Sequence, residues 1–162
     1  MPQEVKAEEE KDLPLKKEVQ TKVKGEGVKC SLGKKMCLLS HMDSVRGLTY
    51  LEQEGILASV SEDCLVKLWN VKEEEISEPY LTLRGHVDPI FSICQAISPD
   101  KEKLICTAGS GGQVRVWQPP KPSNVIPYGP NEDKYYEVAC WNAHNEIIWQ
   151  LLSHPNNVPL LY

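Results

Sequence analysis

From Lys34 onward the apolar residues come in short runs broken by turn formers: MCLL, VRGLTYL, ILASVS, CLVKLW, PYLTL, IFSICQAI, KLICTAG, QVRVW, YYEVACW, EIIWQLL and VPLLY. Runs of this length, rich in β-branched and aromatic residues and bounded by Gly, Pro, Asp, Asn or Ser, predict strands. No long helical pattern competes with them, so residues 34–162 read as all-β. Residues 1–33 have a different texture, with seven Lys against seven Asp or Glu, no aromatic residue and three glycines in KGEGVKCSLG. Such a segment offers too little apolar surface to offset its ordering entropy and is expected to be a disordered, charged tail. A short helix near Glu8 to Glu18 is the alternative there, interrupted by Pro14.

The strands repeat. Ser40-His41 is followed by a strand, a strand ending in ASVSED, and CLVKLWN; Gly85-His86 is followed by a strand, a strand ending in CTAGSGG, and QVRVWQ. The two histidines are 45 residues apart and the two tryptophans, Trp69 and Trp117, are 48 apart. That period fits the four-stranded blades of a WD-repeat β-propeller. A third copy opens at Ala143-His144, and the insertion QPPKPSNVIPYGPNEDK, with five prolines unsuited to a central strand, accounts for its later start. The expected layout is blade one over about 41–84, blade two over about 86–142 and a third blade begun at 144–162.

In WD repeats a His before the innermost strand, a Ser or Thr in the second, an Asp in the following turn and a Trp ending the third form one chain of hydrogen bonds: indole to hydroxyl to imidazole to carboxylate. The first repeat supplies His41, Ser59, Asp63 and Trp69. The second supplies His86, Thr107 and Trp117, with Gly111 where the Asp belongs, so its imidazole is expected to lack a carboxylate and its blade to be looser. His144 is the third copy's His.

Other chemistries fit these residues less well. A Ser-His-Asp nucleophilic triad needs an exposed cleft and an oxyanion hole, and nothing in the sequence supplies either. Zinc is suggested by Cys140, His144 and His154, but structural sites use four ligands in paired short spacings. The GSGG at 109–112 is followed by neither Lys-Ser nor Lys-Thr and reads as a hairpin turn. No metal and no cofactor is expected. Asp43 and Asp88 read as turn residues that can also serve binding. In propeller geometry the His-bearing loops and the turns after the second strands emerge on one face, so Met42, Asp43, Glu62, Val87, Asp88, Ser110 and Asn145 are the candidate partner-binding rim. The Pro-rich insertion, residues 118–134, is expected to leave from the opposite face.

Composition narrows the classes further. The net charge is −5 with thinly spread Lys and Arg, which does not suit a nucleic-acid backbone. No apolar run approaches the roughly 20 residues that cross a bilayer. The N-terminus MPQEVKAEEE is neither a secretory signal nor a transit peptide, which makes a cytoplasmic location the expectation. The six cysteines (Cys30, Cys37, Cys64, Cys94, Cys106, Cys140) are scattered singly and read as small buried hydrophobes.

LLSHMDSVRGLTY, SVSEDCLVKLWNV, EPYLTLRGH, PSNVIPYGPNED and AHNEIIWQL resemble the opening blades of the striatin family's C-terminal propeller. The resemblance covers Lys34 to Tyr162, and it implies that Lys34 to Leu39 is the outermost strand of the last blade, closing the ring. It implies a non-catalytic scaffold whose partners are protein phosphatase type 2A and Ste20-like kinases, and the family's caveolin-binding, coiled-coil and calmodulin-binding segments are not recognisable here. A WD-repeat adaptor of another complex is the alternative, with an enzyme or a nucleic-acid-binding propeller behind it. Because closed propellers need at least four blades, residues 34–162 are expected to be part of a longer product or to self-associate.

Overall fold

A computed structural model of the 162-residue chain describes residues 37–73, 76, 78–125 and 136–153. The expected tail and helix at the N-terminus, most of the Pro-rich insertion and the last run, VPLLY, lie outside the described residues. The chain divides into two units, Met1–Cys37 and Leu38–Tyr162, and the second holds every described strand.

Among the described residues, eight strands build two four-stranded antiparallel sheets, each a meander with neighbours in sequence order. The first holds β1 (Val45–Leu51), β2 (Ile56–Ser61), β3 (Val66–Asn70) and β4 (Leu81–Leu83); the second holds β5 (Ile90–Ile97), β6 (Lys103–Gly109), β7 (Gln113–Trp117) and β8 (Glu137–Asn142). The short loops between β1 and β2, β2 and β3, β5 and β6, and β6 and β7 leave only the adjacent antiparallel position within reach, while β4 and β8 join their sheets through longer connections. This is the partial WD-repeat β-propeller that the repeat period predicts.

The alternation within β2 positions the core. Ile56, Ala58 and Val60 lie on one face and are fully buried with Leu51, Val66, Leu68, Ile90, Ile105 and Trp117, so the two sheets pack through one continuous apolar layer. Leu57, Ser59 and Ser61 point to the other face. A smaller cluster of Ala108, Val114 and Ile148 lies on the far face of the second sheet, with Trp141 and Leu151 against it.

Two predicted strands take another form. Cys37 to Ser40 has no strand conformation, and Lys34 to Met36 lies outside the described residues. EIIWQLL is also not a strand, although it is docked: Ile148 N–H donates to Gly109 C=O (3.0 Å) and Leu151 N–H to Ser92 Oγ (2.8 Å). A strand needs a ladder along its length, and these two anchors are isolated contacts.

Candidate functional site

The turn joining β2 to β3 and the turn joining β6 to β7 have the same shape. Cys64 has φ 66° and Gly112 has φ 69°, and each is the fourth residue of its turn sequence, SEDC or GSGG. The left-handed residue swings the chain back into the next strand and leaves the residue before it, Asp63 or Gly111, facing the loop that carries the repeat's His.

In the first sheet that geometry joins four side chains. Trp69 Nε1–H donates to Ser59 Oγ (3.0 Å), Ser59 Oγ bonds His41 Nε2 (2.8 Å) and His41 Nδ1 bonds Asp63 Oδ2 (2.8 Å). The chain of donors is consistent when Nδ1 carries the imidazole proton and Nε2 accepts from the hydroxyl. Asp63 also accepts from Met42 N–H and Leu65 N–H, both at 3.0 Å. Burial alone drives its pKa upward, but the bonds from His41, Met42 and Leu65 outweigh that, and its carboxyl titrates below the ordinary range. Ser59 is 3% exposed.

The second sheet repeats the arrangement without its carboxylate. Trp117 Nε1–H donates to Thr107 Oγ1 and Thr107 Oγ1 bonds His86 Nε2, both at 2.8 Å. The His86 ring lies tilted against Trp117, with centroids 6.4 Å apart. Burial, and then the charge of Arg115, hold the His86 pKa down at about 4, so the ring is neutral near neutrality. Asp88 takes up part of the space beside Gly111: a Cβ there would meet Asp88 Oδ2 at 2.3 Å. An aspartate at 111 would therefore be brought against a second carboxylate. His144 stands apart from such a set, exposed, with its backbone N–H held by Gly112 C=O at 3.2 Å.

The rim residues occupy the loops around these sets. Met42 is 92% and Val87 82% exposed, each directly after its repeat's His. Asp43, Asp88 and Asn145 are exposed; Glu62 and Ser110 are half-buried. Asp43 Oδ1 accepts from Ser44 N–H (2.6 Å), a turn contact, and Glu62 pairs with Arg46. Burial and the charges of Asp88 and Asp63 push the Cys64 thiol up, which marks the Asp88 loop as a neighbour of the first sheet's turn.

Sequence reasoning missed several contributors. Ser61 Oγ donates to Asp43 C=O (3.1 Å) and fixes the loop behind Met42. The ammonium of the buried Lys67 donates to Ser40 C=O (2.6 Å) and Ser40 Oγ (2.7 Å). Arg115, two residues before its Trp as Lys67 is, instead pairs with Glu137. The reading of the cysteines as buried is corrected for the five described: Cys37 and Cys140 are exposed, and Cys64, Cys94 and Cys106 are only half-buried, while Cys30 lies outside the described residues. Membership of an apolar run does not decide burial, because alternate residues face opposite ways and runs end in turns. Cys140 and His144 are both exposed, and His154 lies outside the described residues. No described helix is long and apolar enough to cross a membrane.

Comparison with known proteins agrees with this architecture. The family "WD domain, G-beta repeat" matches residues 33–70 and 77–118. Striatin-3 of Bos taurus is 33% identical over 125 residues, which cover 72% of this chain and 15% of that protein. A striatin homolog of Dictyostelium discoideum is 33% identical over 141 residues, 78% of this chain and 17% of its own length. Striatin of Mus musculus is 28% identical over 125 residues, again 72% and 15%. The chain thus spans about a sixth of the length of these relatives. With two matched repeats folded as successive four-stranded sheets, the chain carries a WD-repeat portion of the striatin family.

Proposed function

We propose that this chain supplies a non-catalytic docking surface to a protein scaffold, of the striatin kind that gathers protein phosphatase type 2A and Ste20-like kinases. The observation that carries the reading is the pair Met42 and Val87, two apolar side chains almost fully in solvent at matching positions of successive repeats. Each rides on a loop whose His is bonded into the sheet below, so the surface is held rigid before a partner arrives, which lowers the entropic cost of binding. A nucleophilic role for Ser59 fits poorly with its burial and with its bond to the Trp69 indole, which leave the hydroxyl no path to a substrate.

The test is capture of purified phosphatase and kinase by the full chain. Met42→Glu combined with Val87→Glu is expected to weaken capture by more than about tenfold while stability moves by about 0.5 kcal/mol or less, as is usual for exposed positions. His41→Ala lowers capture and stability together. Capture that survives both rim substitutions and is lost on deleting residues 118–134 would move the docking site to the insertion.

A further inference from the structure

Along the β5–β6 ladder Ile93 stands opposite Thr107, Cys94 opposite Cys106 and Gln95 opposite Ile105. Directly opposed residues project onto the same face of a sheet. Ile105 is buried toward the first sheet, so Cys94 and Cys106 share the other face with Ser92 and Ala108, where Leu151 and Ile148 are seated. Opposed Cα atoms in an antiparallel pair are roughly 4.5 or 5.5 Å apart, according to the pair type. Both values fall inside the span of about 4.4–6.8 Å that a disulfide bridges, so the bond can close without breaking the ladder.

The two thiols are not equivalent. Cys94 lines a groove of about 730 Å³ between β1, β5 and residues 149–153, and Cys106 does not. The neighbouring Cys106 thiol, outweighing burial, holds the Cys94 pKa below the ordinary thiol value. The same contact, reinforced by burial, pushes Cys106 up.

We propose that Cys94 and Cys106 form a reversible dithiol–disulfide couple, oxidised by low-molecular-weight disulfides that reach Cys94 through the groove. Cys94, as its thiolate, attacks the small disulfide and displaces one thiolate, giving a mixed disulfide. Cys106 then loses its proton and attacks the Cys94 sulfur, releasing the second thiolate. The two protons given up by the protein end on the two released thiols; the protein loses two electrons and the small disulfide gains them. The bond sits on the face that seats Leu151, so oxidation marks the surface on which the third repeat begins.

The experiment incubates the folded 162-residue chain with reduced and oxidised glutathione, blocks free thiols and analyses tryptic peptides by mass spectrometry. The expected product joins peptide Gly85–Lys101 to peptide Leu104–Arg115, disappears with dithiothreitol, and is absent from Cys94→Ser and Cys106→Ser. Cys106→Ser is expected to accumulate glutathione on Cys94, whereas Cys94→Ser accumulates little on Cys106. Phenylarsine oxide, which bridges two thiols, is expected to bind the reduced chain at least about a hundredfold more tightly than the oxidised chain or either variant. Pairing of Cys64 or Cys140 as often as Cys94 with Cys106, bond formation only in denaturant, or equal arsenical binding by all forms overturns the proposal.

Discussion

Asp63 and Gly111 occupy the same place in two successive turns, and the difference sets how each repeat responds to mutation and to acid. Asp63 accepts three bonds, from His41, Met42 and Leu65. Its replacement by Ala is expected to destabilise the chain by about 1–3 kcal/mol in a denaturant melt, more than any rim substitution. Acid acts in two pH windows. The His86 pKa is depressed from 6.5 to about 4, so above about pH 6.5 its ring is neutral whether folded or unfolded. Between about 6.5 and 4 unfolding takes up a proton, and stability falls as the pH drops, by on the order of 3 kcal/mol in all. Asp63, held below its ordinary value of 3.8, contributes stability that is present above that pH and is lost as the pH falls through its folded pKa. Denaturant melts at successive pH values are expected to show the first loss vanish in His86→Gln and persist in Asp63→Asn. A pH profile identical in His86→Gln and the parent would contradict this account. The residues of the first set were legible because their spacing repeats. The contacts of Ser61 and Lys67 were not, since a period says which position recurs and nothing about what lies across from it.

At the scale of the element, the turn after the second strand is where sequence and backbone disagree most usefully. Gly112 adopts its left-handed φ freely, whereas Cys64 adopts the same conformation at the cost that any side chain bears there. Cys64→Gly is therefore expected to raise stability by about 0.5–1 kcal/mol, and Gly112→Ala to lower it by more, because its Cβ would also meet the His144 carbonyl oxygen at 2.1 Å. Thermal midpoints of the two variants against the parent check both signs. The eight paired strands were legible from alternation and turn residues alone. The irregular course of EIIWQLL was not, because an apolar run records what can be buried, while a strand also requires a neighbour to complete its ladder.

For the folded unit as a whole, apolar surface remains on the side of the innermost strands: Leu48 is 62%, Tyr50 46%, Trp149 70% and Leu152 82% exposed. Trp149 stacks on Phe91 with ring centroids 5.2 Å apart, which keeps part of that surface fixed and presented. Grouped apolar side chains on an exposed face favour association. The 162-residue chain is expected to self-associate with rising concentration in sedimentation velocity, and Leu48→Lys with Leu152→Lys is expected to reduce it. A concentration-independent monomer would count against that expectation.

The docking of residues 143–151 carries a consequence for the order in which the polypeptide acquires its structure. Ala143 and His144 N–H donate to Gly112 C=O, and Ile148 N–H donates to Gly109 C=O. Both acceptors belong to a turn that exists only once β6 and β7 have paired. The seat for residues 143–151 is thus made by the repeat synthesised before them, and a nascent chain leaving the ribosome is expected to acquire this part of its structure from the N-terminal side forward. In pulsed hydrogen exchange during refolding, the Ile148 amide gains protection no earlier than the amides of the β6–β7 ladder, so the growing architecture records the direction of translation in its kinetics.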